Sequence, residues 1–178
     1  MQPWVGDRLP TRIARIGGMP KAELLAKLEV ARVRLNEAAQ TLFADARFTT
    51  SPLTSFVEAV HVSVGALGFP DGATFAGVVE RAATDGLFLC PLELGPHLRL
   101  QFTDQQEGSL GEPASQHCAP PGSVTLASAP LAEDDETPKG FYLRRIEGAL
   151  WLRGYRSWPG HHWNPQDMFV FTRPHSVA

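Results

Sequence analysis

Two halves of the sequence with different apolar spacing meet at the stretch Cys90-Pro91-Leu92-Glu93-Leu94-Gly95-Pro96-His97-Leu98-Arg99-Leu100-Gln101-Phe102. Before this stretch apolar residues recur at helical intervals, and after it they alternate as they do in strands. Within it, Leu98, Leu100 and Phe102 would share one side of an extended segment, with Arg99 and Gln101 on the other side. The two prolines and the glycine disfavour a helix. We therefore predict a bend followed by a half-buried strand.

The composition is that of an ordinary globular domain. The chain has 178 residues, of which 43% are hydrophobic and 20% charged, and this length suffices for one domain with a real core. The formal net charge of −3 creates no overall positive field, so nucleic-acid binding is not expected. No segment has the roughly 20 apolar residues that span a bilayer, so a membrane protein is not expected either.

The cysteine content favours a reducing compartment. Cys90 and Cys118 are the two cysteines of the chain, and no apolar run of signal-peptide length follows the N-terminal charges. The sequence therefore predicts a cytoplasmic protein. The two thiols would form a disulfide only if the fold brought them together.

The chain divides into a short arm and one domain. Residues 1–18 are basic, contain two prolines, end in a Gly-Gly pair and show no sustained period, so we predict a dispensable N-terminal arm. Residues 19–178 form the predicted single α+β domain, with a helical part at residues 19–86 and a sheet part at residues 87–174.

Three helices are predicted in the first part. A stripe of leucines and alanines at intervals of three, four and seven predicts one amphipathic helix over residues 21–46. Ser51-Pro52 provides a capping residue and a first-turn proline for a second helix that ends at Gly68. A third, shorter helix runs from Phe75 to Gly86. The first stripe also allows self-association or a protein partner, although packing on the chain's own core is more common.

A hairpin is the clearest feature of the second part. Residues 141–146 and 149–155 are joined by Glu147-Gly148, which fits a two-residue turn. Counting from that turn places Ile146 opposite Ala149, Arg144 opposite Trp151 and Tyr142 opposite Arg153. With the neighbouring apolar runs, the sequence predicts a mainly antiparallel sheet of about five strands that forms a partial barrel.

One face of the hairpin differs chemically from the other. The core face carries Phe141, Leu143, Leu150 and Leu152, whereas arginine and aromatic side chains alternate on the opposite face. Such a mixture is typical of sites that hold planar or anionic groups by hydrogen bonds and stacking. The predicted strand at residues 98–102 and the aromatic loop near the C-terminus add residues to this face. The candidate ligand-binding residues are Arg99, Gln101, Tyr142, Arg144, Trp151, Arg153, His162 and Trp163.

Several segments resemble a family of small uncharacterised bacterial proteins that share an LCPxExGPxLRLQ-type segment and a C-terminal FVF strand. The residues that carry the resemblance are Leu89-Cys90-Pro91, Glu93, Gly95-Pro96, Leu98-Arg99-Leu100-Gln101, Trp151-Leu152 and Phe169-Val170-Phe171. The resemblance implies a bacterial origin. It implies no activity and no catalytic residues.

No spacing typical of metal ligands or nucleotide loops is present. The His and Cys residues do not form C-x-x-C, H-x-x-x-H or H-E-x-x-H patterns, and no Gly-rich loop joins a strand to a helix. We therefore predict no metal and no cofactor. The favoured function is binding of a small polar or anionic ligand on the Arg/Trp face, and the alternatives are an enzyme that uses the same pocket and a protein-interaction module that uses the first helix.

Overall fold

The structure is a computed structural model that describes residues 9–109 and 119–174. Its helices are α1 (Lys21–Val30), α2 (Glu37–Ala44), α3 (Phe75–Thr84) and α4 (Leu94–Gln101). Its strands are β1 (Thr11–Ile16), β2 (Arg34–Leu35), β3 (Ser55–Ser63), β4 (Ala73–Thr74), β5 (Val124–Leu126), β6 (Gly140–Ile146), β7 (Ala149–Tyr155), β8 (His162–Trp163) and β9 (Met168–Pro174). The predicted α+β class is therefore confirmed.

Seven strands form one curled, mostly antiparallel sheet in the order β1-β3-β9-β5-β6-β7-β2. The pairs β5/β9 and β2/β7 are parallel, and the other four pairs are antiparallel. The sheet curls into a half-barrel, and β4 and β8 form a separate two-stranded ribbon. The sheet thus has more strands than the predicted five because β1, β2 and β3 come from the N-terminal half.

The sheet has an apolar cluster on each face. On the inner face, Leu24, Leu28 and Leu42 of the helices pack with Leu143 and Leu152 of the hairpin. On the outer face, helix α3 and the β4/β8 ribbon pack over β3 and β9, where the buried residues include Val62, Val78, Trp163, Phe169 and Phe171. The hairpin's outer face lies beside this second cluster, and it carries the Arg/Trp residues.

The predicted strand at residues 98–102 is wrong, because the segment forms helix α4. Pro96 lies in the first helical turn, where a missing backbone N–H removes no intrahelical hydrogen bond. Leu94, Leu98 and Phe102 are four residues apart and pack together into the inner core. The apolar pattern therefore fits a helix as well as a strand, and tertiary packing selects the helix.

The predicted first helix is interrupted. Helix α1 ends at Val30, and Arg32 then adopts a left-handed conformation with φ of 57°. The chain next adds the short strand β2 before Asn36, whose side-chain oxygen accepts a hydrogen bond from the Ala39 N–H at 2.9 Å and so caps helix α2. Of the leucines in the predicted stripe, Leu24 and Leu28 of α1 and Leu42 of α2 are buried in the inner core, whereas Leu25 and Leu35 are only partly buried beside it.

The predicted second helix is wrong, because residues 55–63 form the interior strand β3 between β1 and β9. At residues 59–62, where β3 is buried on both faces, the strand lacks a clean apolar–polar alternation, so its apolar residues also match a helical stripe. Leu53 and Phe56 belong to that stripe but are exposed. In the predicted helix they would lie on its buried face.

The third helix and the hairpin are confirmed. Helix α3 is capped by Thr74, whose hydroxyl accepts a hydrogen bond from the Gly77 N–H. The hairpin pairs Arg144 with Trp151, Leu143 with Leu152 and Tyr142 with Arg153, as the residue count predicts. Both turn residues have positive φ, which is typical of the two-residue turn that matches the twist of the strands.

Part of the predicted arm belongs to the sheet. Residues 11–16 form the edge strand β1, which pairs with β3 and buries Ala14 and Ile16. Residues 1–8 lie outside the described residues, as do residues 110–118, which contain Cys118. Within residues 9–109 and 119–174, no helix is long and apolar enough to cross a lipid bilayer.

Candidate functional site

The hairpin brings four of the eight candidate residues together on the outer face of the sheet. The pairs Tyr142/Arg153 and Arg144/Trp151 are neighbours in the β6/β7 ladder, and side chains alternate along each strand. The guanidinium carbon of Arg153 lies 4.9 Å from the centre of the Trp151 ring and 6.0 Å from that of Tyr142. We call Tyr142, Arg144, Trp151 and Arg153 the Arg/Trp face.

A third arginine extends this face, and the sequence interpretation missed it. Arg34 of β2 pairs with Trp151 in the parallel β2/β7 ladder, and its guanidinium carbon lies 5.7 Å from the Trp151 ring centre. Because β2 has two residues inside a predicted helix, the local pattern contains no signal for it. Trp151 therefore lies between two guanidinium groups.

The arginines of the face have no carboxylate partner among the described residues. The ion pairs of the described chain involve other arginines, Lys27 and His97, and none involves Arg34, Arg144 or Arg153. Arg144 is only 7% exposed, and its Nη2 donates to the Ser109 carbonyl oxygen at 2.8 Å. Burial lowers the pKa of Arg144 and the charge of Arg153 acts in the same direction, whereas the neighbouring Tyr142 side chain opposes this shift. The face is thus a concentration of uncompensated positive charge.

Several polar hydrogens of the face are also unused. The Nε atoms of Arg144 and Arg153 and the Nε1 atom of Trp151 are buried and have no hydrogen-bond partner among the described residues. A buried donor without an acceptor loses its hydration without compensation. An anion or a set of water molecules at this face would supply the missing acceptors.

Arg99 does not join the face, because helix α4 lies on the inner side of the sheet. The side chain is completely buried, and its guanidinium donates to Oε1 of Gln105 at 2.6 Å and to the Phe102 carbonyl oxygen. Gln105 Nε2 in turn donates to the carbonyl oxygens of Gly122 and Leu143 at 3.0 Å each. Burial lowers the pKa of Arg99 to about 10. Arg99 is therefore part of a buried network that ties α4 to the hairpin.

Gln101 also has a structural position. Its amide donates to the Arg15 carbonyl oxygen at 2.8 Å and accepts from the Arg15 N–H at 2.9 Å. These two bonds occupy the free edge of strand β1 as a neighbouring strand would do. Gln101 therefore lies away from the Arg/Trp face.

His162 and Trp163 lie in the β4/β8 ribbon beside a cleft on the same outer face. His162 is exposed, whereas Trp163 is buried and packs edge-on against Tyr155 with ring centres 5.8 Å apart. The cleft has a volume of about 250 Å³. Phe75, Tyr155, Trp158 and Trp163 supply its aromatic lining, and Ser128, Glu133 and Lys139 are among its polar residues.

The described cysteine and histidines form neither a metal cluster nor an activated thiol. Among the residues that the structure describes, no group of three or more His, Cys, Asp or Glu could hold a metal ion. Cys90 is buried, its thiol lies 3.2 Å from the Val170 carbonyl oxygen, and burial raises its pKa. A nucleophilic thiol needs the opposite shift.

Comparison with protein-family models, with curated proteins and with solved structures finds no match to this chain, so the resemblance to a bacterial family stays a prediction.

Proposed function

We propose that the protein binds a small anionic ligand on the Arg/Trp face. The observation that carries this proposal is that the guanidinium groups of Arg34 and Arg153 lie near the Trp151 and Tyr142 rings, with Arg144 as the ladder neighbour of Trp151. None of the three arginines has a carboxylate partner among the described residues. Arginine that neutralises another protein charge is common, whereas a cluster of uncompensated arginines is costly in the absence of an anion.

The chemistry of the face favours a carboxylate or phosphate group. A guanidinium presents parallel N–H groups that match the oxygens of such anions, and aromatic rings beside it hold its plane in position. The arginines are on two paired strands and on the neighbouring edge strand. The arginines therefore project from regular secondary structure, which favours a binding site whose side chains are already in place before the ligand binds.

Titration of the protein with inorganic phosphate and with butyrate at low ionic strength tests the proposal. The indole N–H signals in a ¹H–¹⁵N NMR spectrum provide the readout, because Trp151 lies between Arg34 and Arg153. We expect saturable shifts of the Trp151 signal, and Arg153→Gln should weaken binding about tenfold or more, as the loss of a charge-assisted hydrogen bond does.

The matched control is Arg145→Gln. Arg145 follows Arg144 on β6, so its side chain lies on the opposite face of the sheet. Its Nε atom forms an ion pair with Glu107 at 3.3 Å. This variant removes the same charge without touching the face. Equal weakening in both variants would show that binding responds only to net charge, and the absence of any saturable binding would overturn the proposed function.

A further inference from the structure

The aromatic cleft and the Arg/Trp face are neighbours on one side of the sheet. Arg153 and Tyr155 are two residues apart on β7, so their side chains leave the same face about 7 Å apart. Tyr142 lies next to both, with its ring centre 6.5 Å from that of Tyr155 and 6.0 Å from the Arg153 guanidinium. A continuous row of side chains thus connects the arginines to the cleft.

The backbone of Gly140 lies against this row of side chains. Gly140 pairs with Tyr155 across the β6/β7 ladder, and a Cβ at this position would lie 2.8 Å from the Ser128 hydroxyl and 3.5 Å from the Tyr155 ring. The Tyr155 ring therefore lies close over the β6 backbone. The same ring makes an edge contact with Trp163, which lines the cleft.

The size and lining of the cleft fit an aromatic ring. A cavity of about 150 Å³ holds benzene, so a cleft of about 250 Å³ has room for a ring and a short chain. Trp158 lies at the cleft and is 52% exposed, so a ligand that covers it would remove apolar surface from water. Stacking and edge-to-face contacts with the four aromatic residues would orient the ring.

The charges at the cleft do not exclude an anion. Glu133 and Lys139 both line it, so the charged lining residues have opposite signs. The Lys139 ammonium donates to the carbonyl oxygens of Ala132, at 3.0 Å, and of Asp134. The uncompensated positive charge therefore lies on the neighbouring Arg/Trp face, where the anionic group of a ligand would be placed.

We propose that the ligand is an aryl-substituted organic acid that spans both places, with its carboxylate or phosphate on Arg144 and Arg153 and its ring in the aromatic cleft. This inference rests on the proposed function, since it requires an anion on the Arg/Trp face. It adds the class of ligand, which the arginines alone do not specify.

Three matched probes test the inference: 3-phenylpropionate, its neutral isostere 3-phenylpropionamide, and butyrate, which lacks the ring. We expect 3-phenylpropionate to bind at least about tenfold more tightly than either of the others, because it alone uses both contacts. It should shift the indole N–H signals of Trp158 or Trp163 as well as that of Trp151, whereas butyrate should shift only the Trp151 signal.

Two variants separate the contacts. Trp158→Ala should weaken 3-phenylpropionate about tenfold and leave butyrate unchanged, whereas Arg153→Gln should weaken both acids. Phe88→Ala is the control for Trp158→Ala, since Phe88 is an equally exposed aromatic residue, 54% against 52%, that does not line the cleft. Thermal melting of each variant verifies that the fold is retained.

The outcomes distinguish the two proposals. Suppose that butyrate binding depends on Arg153, but 3-phenylpropionate binds no more tightly than butyrate and its affinity is unchanged by Trp158→Ala. The proposed class of ligand is then wrong and the anion site stands. If 3-phenylpropionamide binds as well as the acid, the cleft binds neutral rings independently, and the spanning ligand is also wrong. If neither the two acids nor inorganic phosphate binds, both proposals fail.

Discussion

The guanidinium of Arg99 donates a hydrogen bond to the side-chain oxygen of Gln105 over 2.6 Å, inside the core between helix α4 and the hairpin. The Gln105 side-chain amide donates in turn to the Leu143 carbonyl oxygen. Arg99 of the helix is thus joined to the hairpin of the sheet through Gln105. No carboxylate takes part in this network among the described residues. The same residue type thus has a structural role in the core and a proposed binding role on the outer face.

Arg99→Ala should therefore destabilise the protein strongly. It would leave buried acceptors without a donor and create a cavity, and breaking a buried charged network costs roughly 3–5 kcal/mol. Urea unfolding measures the loss. Arg99→Lys should recover only part of it, since an ammonium cannot reproduce the planar fork; a loss below about 1 kcal/mol for Arg99→Ala would contradict the structural role.

The hairpin provides a second comparison, between Leu152 and its neighbour Arg153. Leu152 is completely buried, so Leu152→Ala should cost roughly 2–5 kcal/mol of unfolding free energy. Arg153→Ala should cost less than about 1.5 kcal/mol, because its side chain is partly exposed and has no described ion pair. Equal losses in the two variants would show that Arg153 is a buried structural partner and would remove the main support for the binding face.

Strand β1 gives a test of the N-terminal segment. Ile16 is 6% exposed and Ile13 is 50% exposed, although both belong to the same strand. Ile16→Ala should cost roughly 2–4 kcal/mol, whereas Ile13→Ala should cost less than about 1 kcal/mol. Thermal or urea unfolding provides the measurement. If neither change matters, residues 11–16 are dispensable for stability, as the sequence interpretation proposed for the arm.

His61 should make stability depend on pH. Burial, together with the charge of Arg12, lowers its pKa from 6.5 to about 4, so between these values the unfolded state binds a proton that the folded state does not. Stability from this group is present above pH 6.5 and is lost as the pH falls towards 4, by up to about 3 kcal/mol.

Urea unfolding at several values between pH 7.5 and pH 4.5 checks this dependence. His61→Phe should flatten the slope by about one proton. A remaining slope is expected from His97, whose pKa is also lowered by burial. His162→Gln is the control, since that imidazole is exposed, and an unchanged slope in His61→Phe would contradict the assignment.

Local sequence determined the hairpin, its register and its two chemically different faces. A two-residue turn sets the pairing of strands that are adjacent in the chain, and the period of two then assigns every side chain to a face. Tyr142, Arg144, Trp151 and Arg153 were therefore placed correctly relative to one another. Helix α3 was also predictable, because it has a capping residue, a regular stripe and a terminal glycine.

Tertiary structure decided whatever depends on distant partners. Strand β3 is buried between two neighbours that come from opposite ends of the chain, and helix α4 packs its apolar residues into the inner core; both patterns are locally ambiguous. The same long-range packing removed Arg99 and Gln101 from the face and added Arg34 to it through the parallel β2/β7 pair. It also placed the aromatic cleft beside the arginines, because Tyr155 of β7 contacts both Tyr142 of the Arg/Trp face and Trp163 of the cleft.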